Sequence, residues 1–300
     1  MTSEPTPEPA AIPPSAPPRA RTDRILPYTR VVSVIIIPFL VVASVLLYVL
    51  PDRTDELFAW TIAPPLTAML LGCAYLGGIW FFAACLRLRR WHAIGWGFPA
   101  VFVFASLLAI ATFLHWDRFH SGHISFIVWV TLYVTTPVLV LVAFILNRPQ
   151  DSGAPDARDY PVPRWLRGLL AVIGLLAAVI GVVLFVAPQL AIEIWAWELT
   201  PLTARVAGAI LTLPGMVNVW LFVDARWSAF RSVVQAELIS LVFIVAALLI
   251  RWNDLLWERP SAPLFFGGIV VSLLAYAAFY AYCESRLRRV DHSAQATSAG

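Results

Sequence analysis

The chain has 300 residues, 60% of them hydrophobic and only 13% charged, with a formal net charge of +3. A soluble domain carries about 25% charged residues, so an ordinary soluble domain is excluded, and the small net charge with no basic patch speaks against nucleic acid as a partner. Every basic residue is an arginine; without lysine a Schiff-base cofactor has no attachment point, and no cofactor is expected.

In chain order, residues 1–29 come first. The opening 18 residues hold seven prolines and no apolar core, which fails the secretory-signal pattern and reads as a disordered, proline-rich cytoplasmic tail. Eight apolar stretches of about 20 residues follow, each long enough to cross a hydrocarbon core of about 30 Å. The predicted spans are Arg30–Leu50, Pro65–Leu86, Gly97–Trp116, Ile124–Asn147, Trp165–Ala187, Pro201–Val223, Ala229–Ile250 and Leu264–Cys283. The expected fold is all-α and polytopic. It has a first four-helix unit at 30–147, a polar cytoplasmic linker at 148–164, a second unit at 165–283 and a cytoplasmic tail at 284–300. The lipid bilayer is the expected partner, with other membrane proteins or a second copy of the chain as further candidates.

Arginines set the expected orientation. They gather before the first span (Arg19, Arg21, Arg24, Arg30), after the second (Arg87, Arg89, Arg90), in the central linker and its flanks (Arg148, Arg158, Arg164, Arg167), after the sixth (Arg226, Arg231) and after the eighth (Arg286, Arg288, Arg289). The opposite side holds only Arg53, Arg118, Arg251 and Arg259. The positive-inside rule then puts both termini in the cytoplasm of a bacterial cell, Asp156 inside and Asp55 outside.

The halves overlay at a shift of about 137 residues, close to half the 300-residue chain. Leu47-Tyr48-Val49-Leu50-Pro51 matches Leu184-Phe185-Val186-Ala187-Pro188, and Trp60 matches Trp197. One residue of slippage pairs Pro65-Leu66-Thr67-Ala68…Gly72 with Pro201-Leu202-Thr203-Ala204…Gly208, Arg90-Trp91 with Arg226-Trp227, and Trp116 with Trp252. Four spans per unit make the two copies enter the membrane in the same direction. Their pseudo-twofold axis is expected along the membrane normal. The repeated Trp…Pro-Leu-Thr-Ala-x-x-x-Gly signature resembles that of uncharacterised bacterial multi-pass membrane proteins, and the resemblance implies no activity. Trp60 and Trp197 are expected as anchors at the outer headgroup level.

Candidate functional residues are those costly to place in a membrane. Gly77-Gly78 and, at the aligned place, Pro214-Gly215 interrupt two corresponding helices, a pattern associated with transporter binding sites. Glu237 is an acid about 12 Å inside its span, with Gln235 and Asn218 at neighbouring depths; the first-half counterparts are Val101, Pro99 and Phe82. An intramembrane ionisable residue is a functional hypothesis by default, and interhelical hydrogen bonding is the structural alternative. Arg205 replaces Met69 of the first half near the outer end and is expected either to snorkel toward Glu198 or an indole as an anchor or to contact an anionic substrate. His115, His120 and His123, with Asp117, are weak metal candidates because their spacing fits no metal motif. Thr131, Tyr133, Thr135 and Thr136 precede Pro137 and either line a cavity or satisfy the backbone that the proline frees. Cys73, Cys85 and Cys283 fall within spans and read as packing residues. No phosphate loop, metalloprotease helix or nucleophile elbow is present. The expected function is transport of a small molecule or ion around a hydrated cavity reaching Glu237; the rival is a non-transporting membrane scaffold or assembly factor.

Overall fold

A computed structural model describes residues 21–155 and 159–298, with side chains through Arg289. The expectations for the proline-rich tail, Arg158 and Asp156 therefore fall wholly or largely outside the described residues. In chain order the helices are α1 (Pro27–Ser44), α2 (Thr54–Leu57), α3 (Pro65–Arg87), α4 (His92–Gly95), α5 (Gly97–Leu114), α6 (Ile124–Asn147), α7 (Arg164–Val186), α8 (Pro188–Ile192), α9 (Pro201–Val223), α10 (Trp227–Ile250) and α11 (Ser261–Ser298). Among the described residues eight helical segments are long and apolar enough to cross a membrane: 27–49, 65–87, 92–114, 124–150, 164–186, 201–223, 227–250 and 261–289. The chain is an integral, multi-pass, all-α membrane protein. Its last helix runs on to Ser298, past the boundary expected after Cys283.

Proline and threonine set the helix starts. Pro27, Pro65 and Pro201 occupy first-turn positions, where a missing N–H leaves no bond unmade. Thr200 and Thr203 close α9 with reciprocal side-chain bonds to backbone N–H groups, which satisfies donors that the helix itself cannot. Apolar side chains such as Leu169, Val172, Leu175 and Leu176 on α7 stay exposed at the surface, the placement expected where lipid rather than water is the surrounding solvent.

Helix pairing follows one scheme in each half. α1 packs on α3 and α7 on α9; α5 packs on α6 and α10 on α11. Across the halves, α5 packs on α9 and α10 on α3, while α3 meets α9 directly. Exchanging the halves leaves these pairings unchanged. Loop bonds recur in the same way. Ile25 N–H donates to Arg89 O (3.1 Å) and Val162 N–H to Ala225 O (2.8 Å). His92 N–H donates to Asp23 Oδ1 (3.0 Å) and Ser228 N–H to Asp159 Oδ1 (3.0 Å). At the other end His120 N–H donates to Ala59 O (2.9 Å) and Leu256 N–H to Ala196 O (2.9 Å).

Trp60 and Trp197 depart from the expected anchor role: both are buried. Each sits in an aromatic cluster, Trp60 at 5.0 Å from Phe58 and 4.7 Å from Trp129, Trp197 at 5.2 Å from Trp195 and 5.0 Å from Phe265. Trp197 Nε1 donates to Thr67 Oγ1 of the opposite half (2.9 Å). Packing under folded-back loops wins over exposure at the headgroups, and the half-exposed Trp116 and Trp252 are better placed to be the interfacial pair.

Candidate functional site

A cavity of about 190 Å³ lies between the halves, walled by residues from α1, α3, α5, α6, α9, α10 and α11. Its walls are almost wholly apolar. Lining residues of the two halves match at a shift of 136: Gly78 with Pro214, Phe81 with Val217, Ala100 with Ala236, Val101 with Glu237, Phe104 with Ser240 and Ala105 with Leu241. Glu237 lies ten residues past the start of α10, and Tyr75 ten residues past the start of α3, so each sits about 15 Å along its helix. The cavity is therefore near mid-membrane.

Its polar groups form two poles. On the second-half side are Glu237 and Ser240 of α10; on the first-half side are Tyr75 of α3 and Tyr133 and Thr136 of α6. Glu237 is the only acid or base other than tyrosine among the described lining residues. Its carboxyl interacts with the Tyr276 hydroxyl of α11, while Oε2 has no hydrogen-bond partner. Asn218 Nδ2 donates to Tyr276 Oη (2.5 Å) and to Leu170 O (2.9 Å). Ser240 Oγ donates to Cys73 O (3.1 Å) and the Tyr75 and Tyr133 hydroxyls are 2.5 Å apart. Thr136 Oγ1 is buried and unpartnered. Two lining residues thus each hold a buried oxygen with bonding capacity unused, a condition that normally calls for an explanation.

The structure brings some of the sequence candidates together and separates others. Glu237 and Asn218 join through Tyr276, which sequence reading missed because a tyrosine in an apolar span looks ordinary. Gln235 turns elsewhere, accepting from Trp80 Nε1 (3.2 Å) and donating to Tyr280 Oη (2.7 Å). Gly77, Gly78 and Pro214 line the cavity, whereas Gly215 does not. A Cβ on Gly215 would meet Ala178 Cβ at 2.4 Å and Gly174 O at 2.8 Å, so Gly215 is a close-contact point between α7 and α9. Thr135 hydroxyl donates to Thr131 O (2.7 Å), the backbone role, while Tyr133 and Thr136 take the cavity role. The cavity itself is apolar where a hydrated one was expected.

The outer candidates disperse. Arg205 Nη1 donates to His115 Nε2 of the first half (2.7 Å) rather than meeting Glu198 or an indole. Burial and the adjacent Arg205 guanidinium hold the His115 imidazole below its ordinary 6.5, which keeps it a neutral acceptor. His120 is engaged by Phe58 O and Thr61 Oγ1. His123 caps α6 by accepting from Ser125 N–H (3.3 Å). Each imidazole serves a different loop or helix contact, and among the described residues no group of three His, Cys, Asp or Glu side chains converges on a common point. The three cysteines are buried and free.

An ion-pair cluster bolts the halves together at the arginine-rich end. Arg226 grips Asp151 of the linker in bidentate fashion (2.9 and 2.8 Å) and also Asp224 (2.7 Å). Trp96 of the first half donates from Nε1 to Asp224 Oδ2 (2.9 Å) and stacks on Trp220 of the second at 4.5 Å between ring centroids. Comparison with family models, curated proteins and solved structures finds no match.

Proposed function

We propose that the chain is a membrane carrier made of two copies of one four-helix unit in parallel orientation, holding a small lipophilic solute between the copies at mid-membrane. The duplication is supported by helix pairings that survive exchange of the halves and by loop bonds repeated at equivalent positions. The carrier reading rests on one observation: an apolar cavity of about 190 Å³ at the interface of the halves, lined by a glutamate whose buried Oε2 is unpartnered. Left empty, a cavity of that size costs on the order of 5 kcal/mol. A cavity of roughly 150 Å³ lined by aliphatic and aromatic side chains accepts benzene, so a solute somewhat larger than benzene fits. The arginine asymmetry between the two ends of the bundle supports cytoplasmic termini in a bacterial plasma membrane.

Fluorobenzene binding to the protein in nanodiscs, followed by fluorine NMR, tests this reading. A bound signal is expected for the native chain, and Val101→Phe, which places a ring in the cavity, is expected to remove it. An identical signal in both proteins would take the cavity out of the function. The scaffold reading draws on α11, which packs chiefly on α10 and leaves Leu264, Val271 and Leu274 exposed. A scaffold's assemblies would tolerate Val101→Phe.

A further inference from the structure

We infer that the solute is a lipophilic ammonium ion, bound by Glu237 in exchange for the proton of its carboxyl. This rests on the carrier reading and adds the chemical class of the solute. A small neutral lipophile crosses a hydrocarbon layer unaided and gains nothing from a carrier, whereas a charged group at the bilayer centre meets a barrier of several kcal/mol. A fixed carboxylate at that depth cancels the charge of a monovalent cation, and the same carboxyl protonated is also neutral. Both loaded forms are then free of net charge at the site.

The walls suit such a ligand. Glu237 lines the cavity and its buried Oε2 has no partner, so turning that oxygen toward an ammonium N–H breaks no existing bond at it. Phe81, Phe82, Phe104 and Tyr75 supply aromatic surface, which attracts cations through the ring quadrupole and accepts the apolar body of the ligand. The groups facing Glu237 hold no competing charge: Tyr276 of α11 and Asn218 of α9 on its own side, Ser240 on α10, and Tyr75 of α3 and Tyr133 of α6 on the opposite wall. No arginine or second acid lines the cavity among the described residues. The exchange is balanced. The ammonium ion enters, the Glu237 O–H bond breaks, the electron pair stays on the carboxylate, and one proton leaves to water; no covalent bond forms to the ligand.

Benzylammonium and its neutral isostere ethylbenzene test the inference on the full chain in nanodiscs, by calorimetry and by proton release in weak buffer. The native protein is expected to bind both, to release about one proton per benzylammonium and none per ethylbenzene, and to bind benzylammonium more tightly as pH rises from about 6 to about 8, where the amine stays charged. Glu237→Gln is expected to weaken benzylammonium relative to ethylbenzene by about 10- to 100-fold, the range for losing a hydrogen bond to a charged group, and to abolish proton release. Val101→Phe is expected to lose both ligands. Ethylbenzene binding without benzylammonium binding, or benzylammonium affinity equal in the native and Glu237→Gln proteins, would overturn the inference and leave the cavity reading standing. Binding of neither ligand would overturn both.

Discussion

Arg226 shows how one side chain can hold a membrane bundle shut at its edge. It is 7% exposed and pairs with two acids, one in the linker and one at the end of α9. Removing one partner of such a buried cluster leaves the others charged and unpaired, at a cost of about 3–5 kcal/mol. Arg226→Gln is therefore expected to lower the unfolding free energy in detergent sharply, while Arg231→Gln, whose exposed side chain reaches Glu284, is expected to change it by under about 1 kcal/mol. Burial pushes the carboxyls of Asp151 and Asp224 up, but the bonds from Arg226 outweigh it and both end below the ordinary 3.8. Their folded-state values are depressed, so the stability they contribute is complete above about pH 4 and is lost as pH falls through the lowered values. A pH-stability series should show that acid loss in the native chain and not in Arg226→Gln. Glu237 was legible in the sequence because a lone acid in an apolar run is costly wherever it points. Arg226 was not singled out, since an arginine between two spans looks like any other inner-loop charge until the linker folds over it.

Glycines set the spacing of the helices, and here the two halves differ. A Cβ on Gly208 would meet Gly181 O at 2.5 Å and Phe185 N at 3.0 Å, both backbone atoms of α7. At the matching Gly72 the nearest atoms are Tyr48 Cβ at 3.1 Å and Tyr48 N at 3.2 Å. A neighbour can yield a few tenths of an ångström at Gly72, but α7 as a whole must move away from α9 at Gly208. Gly208→Ala is expected to cost about 1–3 kcal/mol, the range for overpacking a tight contact, and Gly72→Ala less than about 1 kcal/mol; thermal unfolding of the two variants side by side checks the order. Equal losses would mean that the two pairs of helices meet at the same distance. Ala68 with Gly72 and Ala204 with Gly208 are small residues four apart, the spacing that lets a neighbouring backbone approach closely. The interruption read into Gly215 was a packing contact instead. Glycine in a lipid-embedded helix is more often needed for a missing Cβ than for a broken ladder, and the sequence gives no sign of which neighbour will press against it.

At the scale of the molecule, the eight spans were legible because about 20 apolar residues must be contiguous to cross a bilayer. Most of their edges were read to within a few residues, but the start of the third span was placed five residues late and the last helix runs on past Cys283 to Ser298. The interlock of the halves was not legible. Hydropathy says which residues meet lipid or protein, but not that α5 would choose α9 over α3, or α10 choose α3 over α9. Neither was the inward burial of Trp60 and Trp197, since an indole near a span end fits both an interface and a core. The proposed orientation rests on charge alone. The cluster of Arg226 with Asp151 and the residues before α1 lie at one end of the bundle, joined by the bond from Arg21 Nη1 to Asp151 O (3.1 Å). The pair of Arg251 with Asp52 (2.6 Å) lies at the other, beside the bond from Leu66 N–H to Asp254 (3.1 Å). The first end carries most of the arginines, so the positive-inside rule assigns it to the cytoplasm. Single cysteines at Ser152 and Asp55, both exposed, read this directly on a background with Cys73, Cys85 and Cys283 changed to alanine. An impermeant maleimide on intact cells is expected to label Asp55→Cys at once and Ser152→Cys only after the membrane is opened. The reverse pattern would invert the protein. Labelling of both positions in intact cells would mean that an odd number of crossings does not separate them, and the eight-span topology would have to be redrawn.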